Sequence, residues 1–168
     1  MPGAIRRYVR WVEAVNYRIG RIAMYLIFVM MGILLWSSVS KTFFLPSLWT
    51  LEMAQFAMVA YYLLGGPYSI QLGSNVRMDL FYGDWPPRKK AWFDAVTVLF
   101  LIFYLGVLLY GGIDSTSYAI EYGERSYSAW RPYMWPIKVA MCFAIFMMLL
   151  QAVAEFIKDI ARLRGVDI

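Results

Sequence analysis

Residues 22–40 of the chain read IAMYLIFVMMGILLWSSVS, a run of 19 residues without a charge. A helix needs about 20 largely apolar residues to cross a hydrocarbon core of roughly 30 Å. Arg21 and Lys41 bound the run, and such basic residues anchor the ends of a membrane helix in the headgroup region. The run therefore predicts a first transmembrane helix.

Three further uncharged runs occupy residues 53–76, 95–113 and 139–154. The last has 16 residues, and it needs Trp135, Pro136 and a snorkelling Lys138 to reach full length, because it gives only about 24 Å of helix. With their flanking residues, the four runs predict spans over residues 22–43, 50–70, 92–113 and 135–157. In the second span, Gly65-Gly66-Pro67 predicts a break or a kink.

An amphipathic pattern precedes the first span. Ile5, Tyr8, Val12, Val15 and Ile19 recur at spacings of three and four residues, and five arginines occupy other positions. We expect residues 1–21 to form a helix along the membrane surface, with its apolar face in the interface and its arginines towards anionic headgroups. The predicted fold is an all-α integral membrane protein, one membrane domain over residues 1–168, with four transmembrane helices and an N-terminal amphipathic interfacial helix.

The distribution of basic residues predicts the orientation. Of the 16 Lys and Arg, 12 lie in the N-terminal segment, in the loop between the second and third spans, and in the C-terminal tail. Since cytoplasmic segments carry an excess of Lys and Arg, both termini are predicted to be cytoplasmic. The formal charge of +5 comes from residues that flank the spans, so we predict no binding of nucleic acid.

The composition argues against most catalytic and cofactor-binding classes. The chain contains no histidine and a single cysteine, Cys142, so the commonest general base and metal ligand is missing, as are the usual ligands of membrane haem. The middles of the spans hold residues such as Met30, Gly32 and Phe103 instead of the ionisable groups that bind polar solutes. We predict a scaffold that is not an enzyme and holds no cofactor. A self-sufficient small homo-oligomeric channel or exporter is the alternative, because four spans can suffice for one.

Three polar residues have alternative interpretations. Glu52 is either a carboxylate that faces a partner or an acid favoured by the dipole at the start of the second helix. Arg77 and Asp79 are either a functional pair or solvated loop charges, since residues two apart on a helix do not face one another. Later in the chain, the segment WRPYMWP at residues 130–136 predicts an interfacial aromatic belt that leads into the fourth helix, with a proline in its first turn.

Two segments of the chain resemble a known family. The first, residues 49–79, has Glu52 at a helix start and ends in GSNVRMD. The second begins with RSYSAW at residues 125–130 and continues with Pro132, Trp135, Pro136, Lys138 and Gln151. In order and spacing, these segments are similar to the small permease subunit of tripartite ATP-independent periplasmic (TRAP) transporters, the DctQ family.

The resemblance implies a complex in the bacterial inner membrane. A larger multi-span permease would contain the substrate and sodium sites and would move as an elevator. A soluble periplasmic binding protein would deliver the substrate, and this chain would be the fixed scaffold in the lipid. The motifs look like the branch of the family associated with organic acids, such as 2-oxo acids, and with aromatic or polyol substrates. Of these, we expect an organic acid, taken up by sodium-coupled symport.

The chain also departs from the family pattern. It has Asn75 where many members have histidine, and a lone Glu52 where a Glu-Glu pair is common, so no role of that histidine or of a second glutamate is carried over. The candidate partner contacts are the motif residues and the charged or aromatic residues near them: Trp49, Glu52, Arg77, Asp79, Arg125, Ser126, Trp130, Arg131, Pro132, Trp135, Pro136 and Lys138.

Overall fold

The structure, a computed structural model, describes residues 3–73 and 83–165. These residues form four α-helices: α1 (Gly3–Phe43), α2 (Thr50–Gln71), α3 (Pro87–Glu121) and α4 (Trp135–Leu163). Within the same two ranges, the β-type pairing consists of one isolated bridge between Arg125 and Tyr133. The all-α prediction is confirmed, and each predicted span falls inside a helix of its own.

Three of these helices, α1, α3 and α4, are long and apolar enough to cross a membrane. The 22 residues of α2 give it sufficient length, but its composition is more polar, because it contains Gln55, three tyrosines and Gly65-Gly66-Pro67. The structure therefore has three candidate spans, whereas four were predicted; α2, which contains the predicted second span, is not among them. The surroundings of α2 differ from those of an isolated span, since it packs against both α1 and α4.

The predicted surface helix and the first span form one continuous helix. α1 runs for 41 residues, about 60 Å, without the turn that was expected near residue 21. Gly20 lies at that position, stays helical and packs directly against α2: a Cβ added there would lie 2.4 Å from the Cβ of Tyr68. The prediction of a separate helix over residues 1–21 is wrong.

The apolar face of the first half of α1 packs on protein. Val9 and Val12 are buried in a cluster with Ala154 of α4, and Tyr8, Leu150 and Ile157 surround them. The Tyr8 hydroxyl also donates a hydrogen bond of 3.3 Å to the carbonyl of Leu150. The amphipathic pattern was therefore read correctly, but its apolar face covers the last turns of α4 instead of entering the membrane interface.

The four helices form two antiparallel pairs. A turn over residues 44–49 joins α1 to α2, a loop over residues 122–134 joins α3 to α4, and α2 connects the pairs by packing on α4. Leu105 of α3 packs with Ile145 and Ala152 of α4 in the second buried cluster.

α2 continues through Gly65-Gly66-Pro67 to Gln71, so the predicted break does not occur. Pro67 is buried within this helix.

Candidate functional site

The loop over residues 122–134 has a defined fold of its own. Arg125 pairs with Tyr133 in an antiparallel bridge, and the Ser126 N–H donates to the carbonyl of Pro132 at 3.0 Å. Next to the bridge, the Met134 N–H donates to the carbonyl of Glu124 at 3.0 Å. These bonds close the loop into a short hairpin, so its tip is held in one place relative to α3 and α4.

Two serines shape the tip of this hairpin. The Ser128 N–H donates to Ser126 Oγ at 3.4 Å, and the Arg131 N–H donates to Ser128 Oγ at 3.2 Å. Arg131 has a φ of 50°, a left-handed conformation that is uncommon for a residue other than glycine. The serine hydroxyls thus hold a backbone turn that leaves the Arg131 side chain exposed.

A hydrogen bond connects the hairpin to the start of α2. Ser126 Oγ donates to Glu52 Oε1 at 2.9 Å. Glu52 is 9% exposed, and its second oxygen, Oε2, is buried without a hydrogen-bond partner among the described residues. The described contact of the Glu52 carboxylate is therefore one within this chain, as the acceptor of the Ser126 hydroxyl.

A second contact connects the hairpin to the other pair of helices. Lys138, in the first turn of α4, forms an ion pair of 2.5 Å with Glu124. The same ammonium lies 3.5 Å from the carbonyl of Ser115 on α3. The charge of Lys138, which was predicted to snorkel at the end of the fourth span, is directed to the base of the hairpin, where an acidic partner lowers the cost of partial burial.

The exposed surface of the hairpin is basic and aromatic. The Arg125 guanidinium lies 4.2 Å from the centroid of the Tyr133 ring, within cation–π distance, and it also donates a hydrogen bond to the Tyr133 hydroxyl. Tyr127 is fully exposed, and Trp130 and Arg131 are exposed beside it. We name this the Arg125–Tyr133 surface. Its exposed side chains include two cations, Arg125 and Arg131, and three aromatic rings, Tyr127, Trp130 and Tyr133.

The sequence analysis did not name two residues that hold this site together, Tyr133 and Glu124. It named Ser126 and Lys138 as candidate contacts, but neither Glu124, which holds Lys138, nor Tyr133, which holds Arg125. The signal that could have revealed them is the pairing of opposite charges, Glu124 and Lys138, at the two ends of a loop.

The remaining candidate residues lie at the edges of this site or beyond it. Trp49 is the residue before α2, and Trp135 and Pro136 form the first turn of α4. Pro132 lies inside the hairpin as an acceptor of the Ser126 N–H. Arg77 and Asp79 lie outside the described residues. The structure therefore brings Glu52 together with the hairpin and the first turn of α4, which hold the candidate residues from Arg125 to Lys138.

A second polar cluster, not predicted from the sequence, joins α1 to α4 at the opposite end of the bundle. Asn16 Nδ2 donates to Gln151 Oε1 at 2.8 Å, and Gln151 Nε2 donates to Glu155 Oε1 at 3.1 Å. Lys158 forms ion pairs with Glu155, at 3.0 Å, and with Glu13. The spacing of residues 151, 155 and 158 on one face of α4 is the signal that could have revealed this cluster.

The fold and the site define the class of this protein. It is an all-α membrane protein in which the polar side chains described above connect helices and a loop to one another. Among the described residues there is also no group of three or more histidine, cysteine or acidic side chains that could hold a metal ion. The class is therefore that of a helical membrane protein whose described polar side chains hold its own fold together.

Comparison with known families identifies the component. Residues 30–162 match the family described as tripartite ATP-independent periplasmic transporters, DctQ component. Because the match covers most of the chain, the protein belongs to this family, and the resemblance of its two motifs is confirmed. Neither a search of curated proteins nor a search of solved structures found a match. The family is one of transport subunits, so the chain is the small membrane subunit of a TRAP transporter.

Proposed function

We propose that this subunit is the fixed scaffold of its transporter. It holds a larger permease that takes up an organic acid together with sodium, and a periplasmic binding protein delivers that acid. Substrate and sodium bind to the large permease. The observation that supports the scaffold role most directly is the hairpin over residues 122–134, which three separate elements hold in a fixed position.

The internal polar contacts fit a rigid support. Glu52 connects α2 to the hairpin, Lys138 connects α4 to it, and Asn16 connects α1 to α4 through Gln151. A large permease that moves during transport needs a rigid subunit beside it as a fixed support. α3 supplies apolar surface for lipid and for the large permease, with exposed side chains at Leu99, Phe100, Phe103, Tyr104 and Val107.

The packing of α2 on α1 supports a fourth crossing. Thr50, at the start of α2, donates a hydrogen bond of 3.1 Å to Ser37 of α1, and Tyr68, near its end, lies against Gly20. α2 therefore covers α1 from residue 37 back to residue 20, which is the apolar part of α1. A helix at this depth crosses the same hydrocarbon layer, and its more polar composition is compatible with contacts to two neighbouring helices.

Four crossings place both termini on one side. The excess of Lys and Arg in the terminal segments and in the loop before α3 assigns that side to the cytoplasm of a bacterial inner membrane. The Arg125–Tyr133 surface then faces the periplasm. Its charge and exposed rings suit recognition of a soluble protein, since aromatic residues and arginine are enriched at protein interfaces. We propose that the binding protein docks on this surface.

Reconstitution tests the proposal. Vesicles that contain this chain with its large permease should accumulate the organic acid only when a sodium gradient and the binding protein are both present. Vesicles that contain either membrane protein alone should not. Accumulation by this chain alone would overturn the scaffold role and favour a small homo-oligomeric channel or exporter.

A further inference from the structure

A groove lies at the end of the bundle where α3 begins and α4 ends. It has a volume of about 820 Å³. The residues that line it include Trp85 just before α3, Trp92 and Phe93 near the start of α3, and Leu163 at the end of α4. Trp85 and Phe93 meet edge to face, with ring centroids 5.4 Å apart. This volume lies within the range of small-molecule sites, roughly 300–1,000 Å³.

The rim of this groove is basic. Arg88 and Lys89 line it, and both are exposed. Their side chains form no ion pair or hydrogen bond with the residues of ranges 3–73 and 83–165. The groove therefore combines an apolar, aromatic floor with two cations at one edge.

The depth of the groove corresponds to the edge of the bilayer. The uncharged run of α3 begins at residue 95, so Trp92 lies about 5 Å and Arg88 about 10 Å before it along the helix. The headgroup layer extends roughly 5–8 Å beyond the hydrocarbon on each side. The apolar floor thus lies level with the glycerol-ester ends of the acyl chains, while the two cations lie at or just beyond the headgroups.

We propose that this groove binds an anionic phospholipid. Its acyl chain lies along Trp92, Phe93 and Leu163, and its phosphate lies between Arg88 and Lys89. Charge complementarity selects this occupant, because a zwitterionic lipid would bring a cationic group towards the same two cations. Each basic residue near a membrane surface favours anionic lipid by about 1 kcal/mol, or roughly fivefold, so the pair predicts up to about 30-fold preference at low salt.

Quenching of tryptophan fluorescence tests the proposal with the full chain in mixed micelles. Brominated phosphatidylglycerol should quench more strongly than brominated phosphatidylcholine, and Trp92→Phe should remove a large part of the difference. Arg88→Gln combined with Lys89→Gln should reduce the preference by at least about fivefold. The matched control is Arg7→Gln with Arg10→Gln, which removes the same charge from the exposed face of α1 and should keep the preference.

Four results would overturn the inference. The two brominated lipids could quench equally, which would show that the groove does not select anionic lipid. The control variant could lose the preference as fully as the groove variant, which would show general electrostatic attraction. Trp92→Phe could leave the difference unchanged, which would place the lipid elsewhere. Finally, soluble glycerol 3-phosphate could abolish the preference, which would show an anion site without an acyl chain.

Discussion

Ser126 Oγ donates a hydrogen bond of 2.9 Å to Glu52 Oε1, between residues that are 74 positions apart in the sequence. The contact joins Glu52 of the first motif, at the start of α2, to Ser126 of the second motif, in the hairpin between α3 and α4. The dipole at the start of α2 favours an acid there. The hydrogen bond from Ser126 gives this buried carboxyl group a partner as well. We therefore expect Glu52 to position the hairpin.

Removing the donor of this bond should loosen the hairpin without unfolding the protein. Ser126→Ala leaves a buried acceptor without its partner, which costs about 1–3 kcal/mol. We expect faster amide hydrogen exchange over residues 124–134, measured by mass spectrometry. Ser117→Ala is the control, because the Ser117 hydroxyl donates to the carbonyl of Asp114 in its own helix and bonds no other residue within 3–73 and 83–165. Equal exchange rates in the two variants would contradict the positioning role.

Removing the acceptor should weaken assembly with the large permease. Glu52→Leu deletes both carboxyl oxygens, whereas Glu52→Gln keeps an oxygen that can accept from Ser126. We expect less large permease to co-purify with Glu52→Leu than with Glu52→Gln, because Glu52 acts through the hairpin that it holds. Undiminished association of Glu52→Leu would show that the hairpin has no part in assembly.

Charge reversal on the Arg125–Tyr133 surface should weaken docking of the binding protein. Arg131 makes the sharper test, because its side chain is exposed, whereas that of Arg125 also holds Tyr133. For Arg131→Glu we expect the concentration of binding protein that gives half-maximal uptake to rise by roughly tenfold at low ionic strength. Lys41→Glu reverses an exposed charge in the last turn of α1, at the end of the bundle where the hairpin lies. It should change this concentration less. Identical values for the two variants would argue against docking at this surface.

The close approach of α1 and α2 at Gly20 should make that position intolerant of a side chain. Gly20→Ala places a Cβ within 2.4 Å of the Tyr68 Cβ, and such overpacking costs about 1–3 kcal/mol. We expect a lower midpoint of thermal unfolding in detergent. Gly32→Ala is the control, because nothing lies within 4 Å of its added Cβ; it should unfold at the same temperature or higher, since alanine favours helix. A stable Gly20→Ala protein would contradict the packing of the two helices.

The contact between Asn16 and Gln151 should contribute measurable coupling. Hydrogen bonds between membrane helices contribute on average about 0.6 kcal/mol in double-mutant cycles. We expect a cycle of Asn16→Ala and Gln151→Ala, followed by equilibrium unfolding, to give a coupling free energy of about 0.5–1.5 kcal/mol. Pairing Asn16→Ala with Gln55→Ala, an exposed glutamine on α2, should give additive effects. Additivity in the first cycle would show that the buried contact is not formed.

The sequence predicted most of the helical fold because uncharged length is a local property. Nineteen uncharged residues at 22–40 require a helix in a bilayer, whatever surrounds them. Gly65-Gly66-Pro67 shows the limit of local rules: the triplet favours a break in isolation, yet Pro67 is buried in a helix that continues to Gln71. Contacts with α1 and α4 outweigh the local preference.

The sequence alone determined the helical membrane class, the absence of histidine chemistry and the two motifs that identify the family. Only the tertiary structure decided what the amphipathic face of α1 covers. Periodicity shows that Tyr8, Val9 and Val12 lie on one apolar side of α1. Either lipid or another helix can bury such a side, so the pattern alone does not decide between them. The small side chain of Ala154 lets α4 approach closely, and this long-range contact turned a predicted surface helix into part of the bundle.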